Sequence, residues 1–383
     1  MPSLRIKSDD ERSLNRKQLH ANPELSGKEQ ETQQRIVSFL KDFGVNSGKE
    51  VGQFGLIYPF HFGTGPHLLI RVDIDALPIQ EINEFQHKSI VEGVSHKCGH
   101  DGHTTIGVGL AVRLKNEPLK HGKVTVLFQP AEEIGEGAKG ILEDPNFNIE
   151  EYDYTVALHN IPGKKMHEIL WKKDNFTPAV KSLIIRLTGK TSHAAEPLKG
   201  FNPSYAVSEI IQTALDQEET DEKHNNYNLI TPVFTQVGSK DYGISAGFGE
   251  IHFTIRSWTQ EKMDEASELF LSKVKSIALK HHLEVVTEYI AEFASNMNDH
   301  CVVDQIVKSG NELGLRTFLN PEPFPWGEDF GLFTQNIPGA MFGLGSGEAT
   351  PALHNPDYDY PDEITETGIN MFYEIAINTC KHV

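Results

Sequence analysis

Residues 67–75 read His-Leu-Leu-Ile-Arg-Val-Asp-Ile-Asp, an almost continuous apolar run that ends in aspartates. A run of this kind is typical of a strand buried on both faces of a parallel sheet. Comparable apolar runs, separated by helical patterns, occur further along the chain at 123–128, 153–158 and 340–345. This alternation predicts an α/β fold with a largely parallel, doubly wound sheet and helices on both faces.

The pattern changes near residue 177. Segments with strand character lie at 181–188, 230–237, 249–257 and 283–291, and helical patterns lie at 203–217 and 261–281. The resulting order β-α-β-β-α-β is that of a ferredoxin-like α+β unit. We therefore expect residues 1–176 to form the first part of the main domain, 177–292 an inserted domain, and 293–383 the second part of the main domain.

Residues 96–103 read His-Lys-Cys-Gly-His-Asp-Gly-His, which concentrates metal donors in a short stretch. Cysteine and histidine ligate zinc, manganese, nickel or cobalt once the thiol is deprotonated. From this octet alone, a metal site and a polar loop around a buried free cysteine are about equally good interpretations.

Further donors follow the predicted strands. Glu132 and Glu133 come just after the run at 123–128, His159 follows 153–158, and His354 lies beyond 340–345. Because the carboxyl ends of parallel strands meet at one edge of a sheet, these side chains are expected to converge, which favours the metal site. In an extended segment adjacent glutamates point in opposite directions, so one can bind a metal while the other faces a substrate. His20, by contrast, is expected to be a loop residue.

Composition excludes several classes of function. The chain carries 54 acidic and 35 basic residues, a net charge of -19, which repels phosphate backbones and argues against nucleic acid as a partner. It has no apolar run of about 18 residues, and residues 1–7 lack the apolar core of a signal peptide. We expect no membrane association and a cytoplasmic location. Three cysteines in 383 residues argue against a disulfide framework.

Eight motifs, in this order, resemble the aminoacylase, hippurate hydrolase and indole-acetyl-amino-acid hydrolase group of dinuclear metallo-amidohydrolases, which are relatives of the zinc exopeptidases. The motifs are HANPEL at 20, RVDIDALP at 71, CGHDGHTT at 98, QPAEE at 129, ALHN at 157, GKTSHAAEP at 189, GEDF at 327 and LHNP at 353. The resemblance spans nearly the whole chain. It implies a zinc-exopeptidase-like sheet and an inserted lid domain that joins two copies in a homodimer.

The resemblance also assigns roles to individual residues. It implies that two divalent metal ions, Zn, Mn, Ni or Co, are bound by Cys98, His100, Glu133, His159 and His354. It implies that Glu132 is the general base and that Asp75 supports a metal ligand from behind. Asp101 and His103 are expected to support the loop. For Asp73, such support and a strand-end cap are equal alternatives.

Two residues of the predicted lid are implicated as well. His193 resembles a residue that reaches the substrate carbonyl across the dimer interface, and Arg256 resembles an arginine that pairs with a substrate carboxylate. Relatives carry an Asn-Val-Ile-Pro-like segment before the arginine strand, whereas residues 242–249 read YGISAGFG and lack the asparagine. This departure leaves recognition of the substrate's carboxyl end open, and both a preference for an unusual N-acyl amino acid and a preference for an amide without a free carboxylate are compatible with it.

The sequence thus predicts a metal-dependent hydrolase that cleaves the amide bond of N-acyl amino acids or related small amides by a metal-activated water. One alternative is dipeptidase or carboxypeptidase action at the same site, on a peptide-like amide. Another is a non-catalytic ligand-binding homologue. Retention of Glu132 argues against the last, since a pure binding protein needs no general base.

Overall fold

The computed structural model describes residues 9–221, 224 and 226–380, with only the backbone described for 9–14. These residues form two compact units. Unit 1 holds the described residues up to Phe176, Asn296–Pro323 and those from Glu328 onward, and unit 2 holds Thr177–Ser295 and Phe324–Gly327. The sequence predicts an inserted segment at 177–292. The first segment of unit 2 extends to Ser295, and the unit also includes the short segment Phe324–Gly327.

The helices, in chain order, are α1 (Asp9–Ala21), α2 (Gln30–Asp42), α3 (His100–Asn116), α4 (Gly137–Leu142), α5 (Ser204–Leu215), α6 (Gln260–Lys280), α7 (His300–Glu312), α8 (Gly331–Thr334) and α9 (Thr365–Cys380). The strands, in chain order, are β1 (Lys49–Val51), β2 (Gly55–His61), β3 (His67–Asp73), β4 (Lys123–Gln129), β5 (Tyr154–Ile161), β6 (Ile169–Trp171), β7 (Asp174–Thr177), β8 (Ala179–Thr188), β9 (Ser192–His193), β10 (Asn228–Val237), β11 (Ile244–Ser245), β12 (Phe248–Ser257), β13 (Glu284–Phe293), β14 (Asn296–Asn298), β15 (Thr317–Leu319) and β16 (Gly339–Gly345). None of the described helices is long and apolar enough to cross a membrane.

Unit 1 is built on an eight-stranded sheet in the order β1-β2-β4-β3-β5-β16-β6-β15. The central strands β4, β3, β5 and β16 are parallel to one another, and β1, β2 and β6 run antiparallel to neighbours. Every residue of β3 is buried, as its apolar sequence predicts. The predicted, largely parallel α/β sheet is therefore confirmed, and its four central strands all end at one edge.

Helix α3 begins at His100, within the metal-donor octet, and packs against β3, β4 and α9. Gly107 allows this close approach, because a Cβ at that position would meet Val72 Cγ2 at 2.6 Å. Gly99, just before the helix, has a φ of 90°, a left-handed conformation that glycine adopts without strain. Small residues thus seat the start of α3 against the ends of the central strands.

Unit 2 contains a four-stranded antiparallel sheet in the order β10-β12-β8-β13. With α5 after β8 and α6 after β12, the chain order and the sheet order together are those of a ferredoxin-like fold, as predicted. Alternate residues of β12, including Ile251, Phe253 and Ile255, are buried and contribute to the apolar core of this unit.

Two local predictions were wrong. His20 lies on α1, not in a loop, because α1 extends to Ala21. Strand β5 continues to Ile161 because its pairing with β16 extends to Gly345, so His159 lies within the strand and not after it.

Candidate metal centre

The candidate donors of unit 1 lie at the carboxyl end of the four central strands. Glu132 and Glu133 follow β4, Asp75 follows β3, His159 lies near the end of β5, and His354 lies in the loop after β16. Cys98 and His100 enter from the start of α3. The structure therefore brings together all five predicted metal donors from separate parts of the chain.

These donors form two overlapping sets. One donor atom from each of Cys98, His100 and His159 lies within 4.8 Å of the others, and the same holds for Cys98, Glu133 and His354. Cys98 Sγ is 3.4 Å from His159 Nε2, and His354 Nε2 is 3.7 Å from Glu133 Oε2. Because Cys98 belongs to both sets, the arrangement suits two adjacent cations that share the thiolate.

Two buried atoms at this centre suit a cation better than a hydrogen bond. His100 Nε2 and Glu133 Oε1 face each other at 3.8 Å. Neither has a hydrogen-bond partner among the residues that the structure describes. Buried nitrogen and oxygen atoms are nearly always hydrogen-bonded, and cations held by the two donor sets would give each of these atoms a partner. The residues present therefore fit a metal site.

Asp75 orients the donors from behind. Its Oδ1 lies 3.1 Å from Nδ1 of His100, and its Oδ2 accepts hydrogen bonds from the backbone N–H of Glu133 at 3.0 Å and the hydroxyl of Ser26 at 2.6 Å. With Nδ1 engaged, Nε2 of His100 is the nitrogen left for a metal. This arrangement of carboxylate, histidine and metal position is common in metalloproteins.

His103 is placed as a support and not as a ligand. Its Nδ1 lies 2.6 Å from Asp73 Oδ1, and its Nε2 accepts the backbone N–H of Asn160 at 3.1 Å. Asp73 also accepts from the Arg71 guanidinium at 2.6 Å. Both nitrogens of His103 are thus occupied by neighbours in the protein.

A buried ionic cluster beside Glu132 was not assigned from the sequence. Arg71 is completely buried and donates to Asp73, to Glu328 at 2.9 Å and to Asp329 at 2.8 Å. A carboxylate oxygen of Glu132 lies within 4.8 Å of one from each of Glu328 and Asp329. The sequence contains two signals from which the cluster could have been found: an arginine inside the apolar run at 67–75, and the GEDF motif.

Burial and crowded charge shift the pKa values of the carboxyl groups here. Burial raises the pKa of Glu132 well above its usual range, and the charges of Glu328 and Glu133 raise it further. Burial likewise raises the pKa of Asp329 to about 7, although Arg71 opposes the shift. A carboxylate with a raised pKa is a better proton acceptor, which suits Glu132 to a general base.

The surroundings of the donors are strongly negative. Five carboxylates around the centre are buried, namely Asp73, Asp75, Glu132, Glu328 and Asp329. Burial, and then the charges of Glu133 and Glu132, raise the pKa of the Cys98 thiol well above its usual value. Divalent cations would supply the missing positive charge and favour the thiolate that metal binding requires.

His193 and Arg256 belong to unit 2, whereas the five metal donors belong to unit 1. His193 is exposed on β9, where its backbone pairs with Ile244 of the segment that lacks the asparagine. Arg256 lies on β12, and burial lowers the pKa of its guanidinium. Within the described residues Arg256 forms no ion pair with a carboxylate, so its charge is available to an anionic ligand.

The chain matches a known protein family over most of its length. A sequence model of the family described as Peptidase family M20/M25/M40 matches residues 69–378. The chain is similar to the N-acetyl-L-cysteine deacetylase of Bacillus subtilis (strain 168), with 28% identity over 363 residues that cover 94% of this chain and 86% of that protein. It is also similar to the hippurate hydrolase of Campylobacter jejuni, with 28% identity over 369 residues that cover 96% of each chain.

A solved structure shares both fold and sequence with the chain. The crystal structure of the YXEP protein of Bacillus subtilis, described as a dinuclear metal-binding peptidase of the M20 family, has a TM-score of 0.82 and 27% identity. The match covers 98% of this chain and 99% of the other.

Proposed function

We propose, because the chain belongs to peptidase family M20/M25/M40, that it is a metal-dependent amidohydrolase acting on N-acyl amino acids or related small amides. The match to the family and the two deacylating relatives confirm the resemblance that the eight motifs predicted. The relatives hydrolyse N-acyl amino acids, as their names state, and the substrate class proposed for this chain follows theirs.

One observation carries the proposal. Two donor sets share Cys98, and a glutamate outside both sets lies beside them: Oε2 of Glu132 is 4.0 Å from Nε2 of His100. A hydrolase of this kind needs both metal ligands and a base that no metal occupies. Glu133 supplies a ligand and Glu132 remains for the base.

In the proposed hydrolysis, metal binding and proton transfer are carried out by different residues. Cys98, His100, Glu133, His159 and His354 would hold two divalent cations, which when bound polarise an amide carbonyl and lower the pKa of water. Glu132 takes the proton of the attacking water and delivers it to the leaving amine. Burial, together with the charges of Glu328 and Glu133, raises the pKa of Glu132, although Arg71 opposes the shift.

Unit 2 is proposed as a lid that also joins two copies of the chain. In such a dimer His193 would donate a hydrogen bond to the developing oxyanion, and Arg256 would bind a substrate carboxylate through its forked N–H groups. The half-buried guanidinium of Arg256, which has no carboxylate partner among the described residues, supports this role. The cations are proposed to be Zn, Mn, Ni or Co, all of which accept such donors.

The proposal is tested with protein reconstituted separately with Zn, Mn, Ni and Co and offered a panel of N-acyl amino acids and unblocked dipeptides. We expect deacylation of N-acyl amino acids and little cleavage of dipeptides. A preference for free dipeptides would instead establish peptidase action. Stable binding of the amides without turnover would indicate a non-catalytic binding protein.

Glu132→Gln tests the assigned base. We expect kcat to fall by about 10²–10⁴-fold with both metal ions retained, because only the proton acceptor is lost. Glu136→Gln is the matched control, since Glu136 is exposed four residues along the same segment and pairs with Lys139 on the surface. Full activity in Glu132→Gln would refute the base.

A further inference from the structure

A lysine lies directly before the shared metal donor. Lys97 is completely buried, and its ammonium donates to Glu81 Oε1 at 2.5 Å and to the backbone carbonyl of Tyr358 at 2.7 Å. Burying an ammonium is costly unless it is paired with an opposite charge and hydrogen-bonded. The carbonyl of Tyr358 is therefore a fixed partner of this lysine and not an incidental contact.

The turn that Lys97 contacts carries His354. The His354 side chain is 52% exposed, and the residues at 355–357 are exposed as well. Its φ is 64°, a left-handed conformation that costs energy for a residue other than glycine. Tyr358, at the end of this turn, is fully buried in the apolar core. The exposed residues 354–357 between Lys97 and Tyr358 have no such packing, so their position depends on the hydrogen bonds at the two ends of the turn.

Lys97 holds this turn at both ends. Its backbone carbonyl accepts the N–H of His354 at 2.7 Å, and its ammonium binds the carbonyl of Tyr358. Asn83 adds weaker bonds from its amide to the carbonyls of Asp357 at 3.1 Å and Tyr358 at 3.3 Å. Of these hydrogen bonds to the turn, the one from the Lys97 ammonium has a charged and fully buried donor.

The same turn is tied to the segment of Cys98 by a second route. The hydroxyl of Tyr358 donates to Asn160 Oδ1 at 2.6 Å, and the amide of Asn160 donates to the carbonyl of Cys98 at 2.7 Å. Cys98, His159 and His354 are thus borne by three segments that are bonded to one another. Displacement of Tyr358 would be transmitted to His354.

We propose that Lys97 is a positioning residue whose ammonium fixes the 354–358 turn, so that His354 stays within reach of Glu133 and Cys98. The proposal rests on the two-metal function proposed above. It predicts that Lys97 controls the affinity of the cation held by Cys98, Glu133 and His354. The set formed by Cys98, His100 and His159 does not include the turn and is affected less.

The positioning role of Lys97 can be separated from a general contribution to folding stability, because Glu81 keeps other hydrogen-bond partners when the ammonium is removed. Its Oε1 lies 3.0 Å from Nε2 of His20, and its Oε2 accepts the N–H of Ser89 at 2.6 Å. Removing the ammonium therefore does not leave Glu81 alone as a buried charge. The turn, by contrast, loses the only charged donor among the side chains of Lys97 and Asn83 that bind its carbonyls.

The test is metal titration of the full chain carrying Lys97→Met, by chelator competition and by the cobalt absorption bands, including the thiolate-to-cobalt band of Cys98. His354→Asn identifies which ion depends on that histidine. We expect Lys97→Met to weaken the same ion by about 10–100-fold, the usual effect of losing a residue that orients a ligand. The other ion and the thiolate band are expected to remain.

Val303→Ala is the control for general destabilisation, because Val303 is fully buried on α7 and takes no part in the hydrogen bonds around the turn. We expect it to lower the melting temperature and keep both ions. Wild-type affinity for both ions in Lys97→Met, or equal weakening of both ions, would overturn the proposal.

If Lys97→Met does not fold, Lys97→Gln decides the question, since it removes the ammonium but leaves an amide that can still donate a hydrogen bond to Glu81. Selective weakening of the His354-dependent ion supports the proposal, and an unchanged titration overturns it. If the wild-type chain binds fewer than two ions, the proposed two-metal function fails. If wild type binds two and Lys97→Met matches it, only the role of Lys97 fails.

Discussion

Nδ1 of His100 lies 3.1 Å from Oδ1 of Asp75, and this contact turns Nε2 of the ring toward Glu133 Oε1 at 3.8 Å. Asp75 holds the second ligand as well, since its other oxygen accepts the backbone N–H of Glu133. One carboxylate therefore sets the position of two donors that are separated in sequence.

Asp75→Asn is expected to weaken metal binding by about 10–100-fold. An asparagine has one carbonyl oxygen, so it cannot accept from His100 on one side and from Glu133 and Ser26 on the other. Isothermal titration with Zn and Mn measures the change. Asp304→Asn, an exposed partner of Lys173, is the control and should bind metal like wild type. Equal affinity in both variants would show that Asp75 does not orient the ligands.

Cys98→Ser is expected to weaken both metal ions, because Cys98 is common to both donor sets. His354→Asn, in contrast, should weaken one. Metal content after gel filtration gives the stoichiometry directly. Cys301→Ser is the matched control, since Cys301 is an exposed free thiol on α7. Loss of a single ion in Cys98→Ser would mean that the thiolate is not shared.

Arg71→Met is expected to lower the free energy of unfolding by about 3–5 kcal/mol, because Asp73, Glu328 and Asp329 would be left as buried charges without their cation. Urea unfolding of the metal-free protein measures this loss. Arg186→Met removes an arginine that also pairs with two carboxylates, Glu250 and Glu288, but in solvent, and should change stability little. Similar losses of unfolding free energy in the two variants would show that burial of the arginine does not determine how much its ion pairs stabilise the protein.

The buried His20 predicts a pH dependence of stability. Burial alone lowers the pKa of His20, but hydrogen bonds to Asp101 and Glu81 outweigh it and raise the pKa to about 9. A raised folded-state pKa means that the stabilisation is complete below the unfolded value near 6.5 and is lost as the pH rises through 9. The loss is up to roughly 3 kcal/mol.

Unfolding free energies of metal-free wild type and His20→Gln, measured between pH 6 and pH 10, test this sign. The variant should be less stable near pH 6 and should approach wild type as the pH rises, because it lacks the proton that wild type releases. Parallel curves for the two proteins would show that His20 is not held protonated.

Much of the fold was predictable because its signals are local. The apolar run at 67–75 and its repetition along the chain predict buried parallel strands, and the β-α-β-β-α-β order predicts the second sheet. Glu132, Glu133, His159 and His354 could be placed at one edge because they lie at or beyond the carboxyl ends of strands that must meet there. The octet around Cys98 was readable for the same reason, since its donors are neighbours in sequence.

Only the tertiary structure showed which buried side chains bind one another. Arg71 pairs with Glu328 across 257 positions, and Lys97 binds the carbonyl of Tyr358 across 261. His20 reads as a loop residue in the sequence, yet α1 carries it to Asp101, 81 positions away. Periodicity and turn residues encode the local backbone, whereas a buried charge acquires its partner only when distant strands and helices pack together and exclude water.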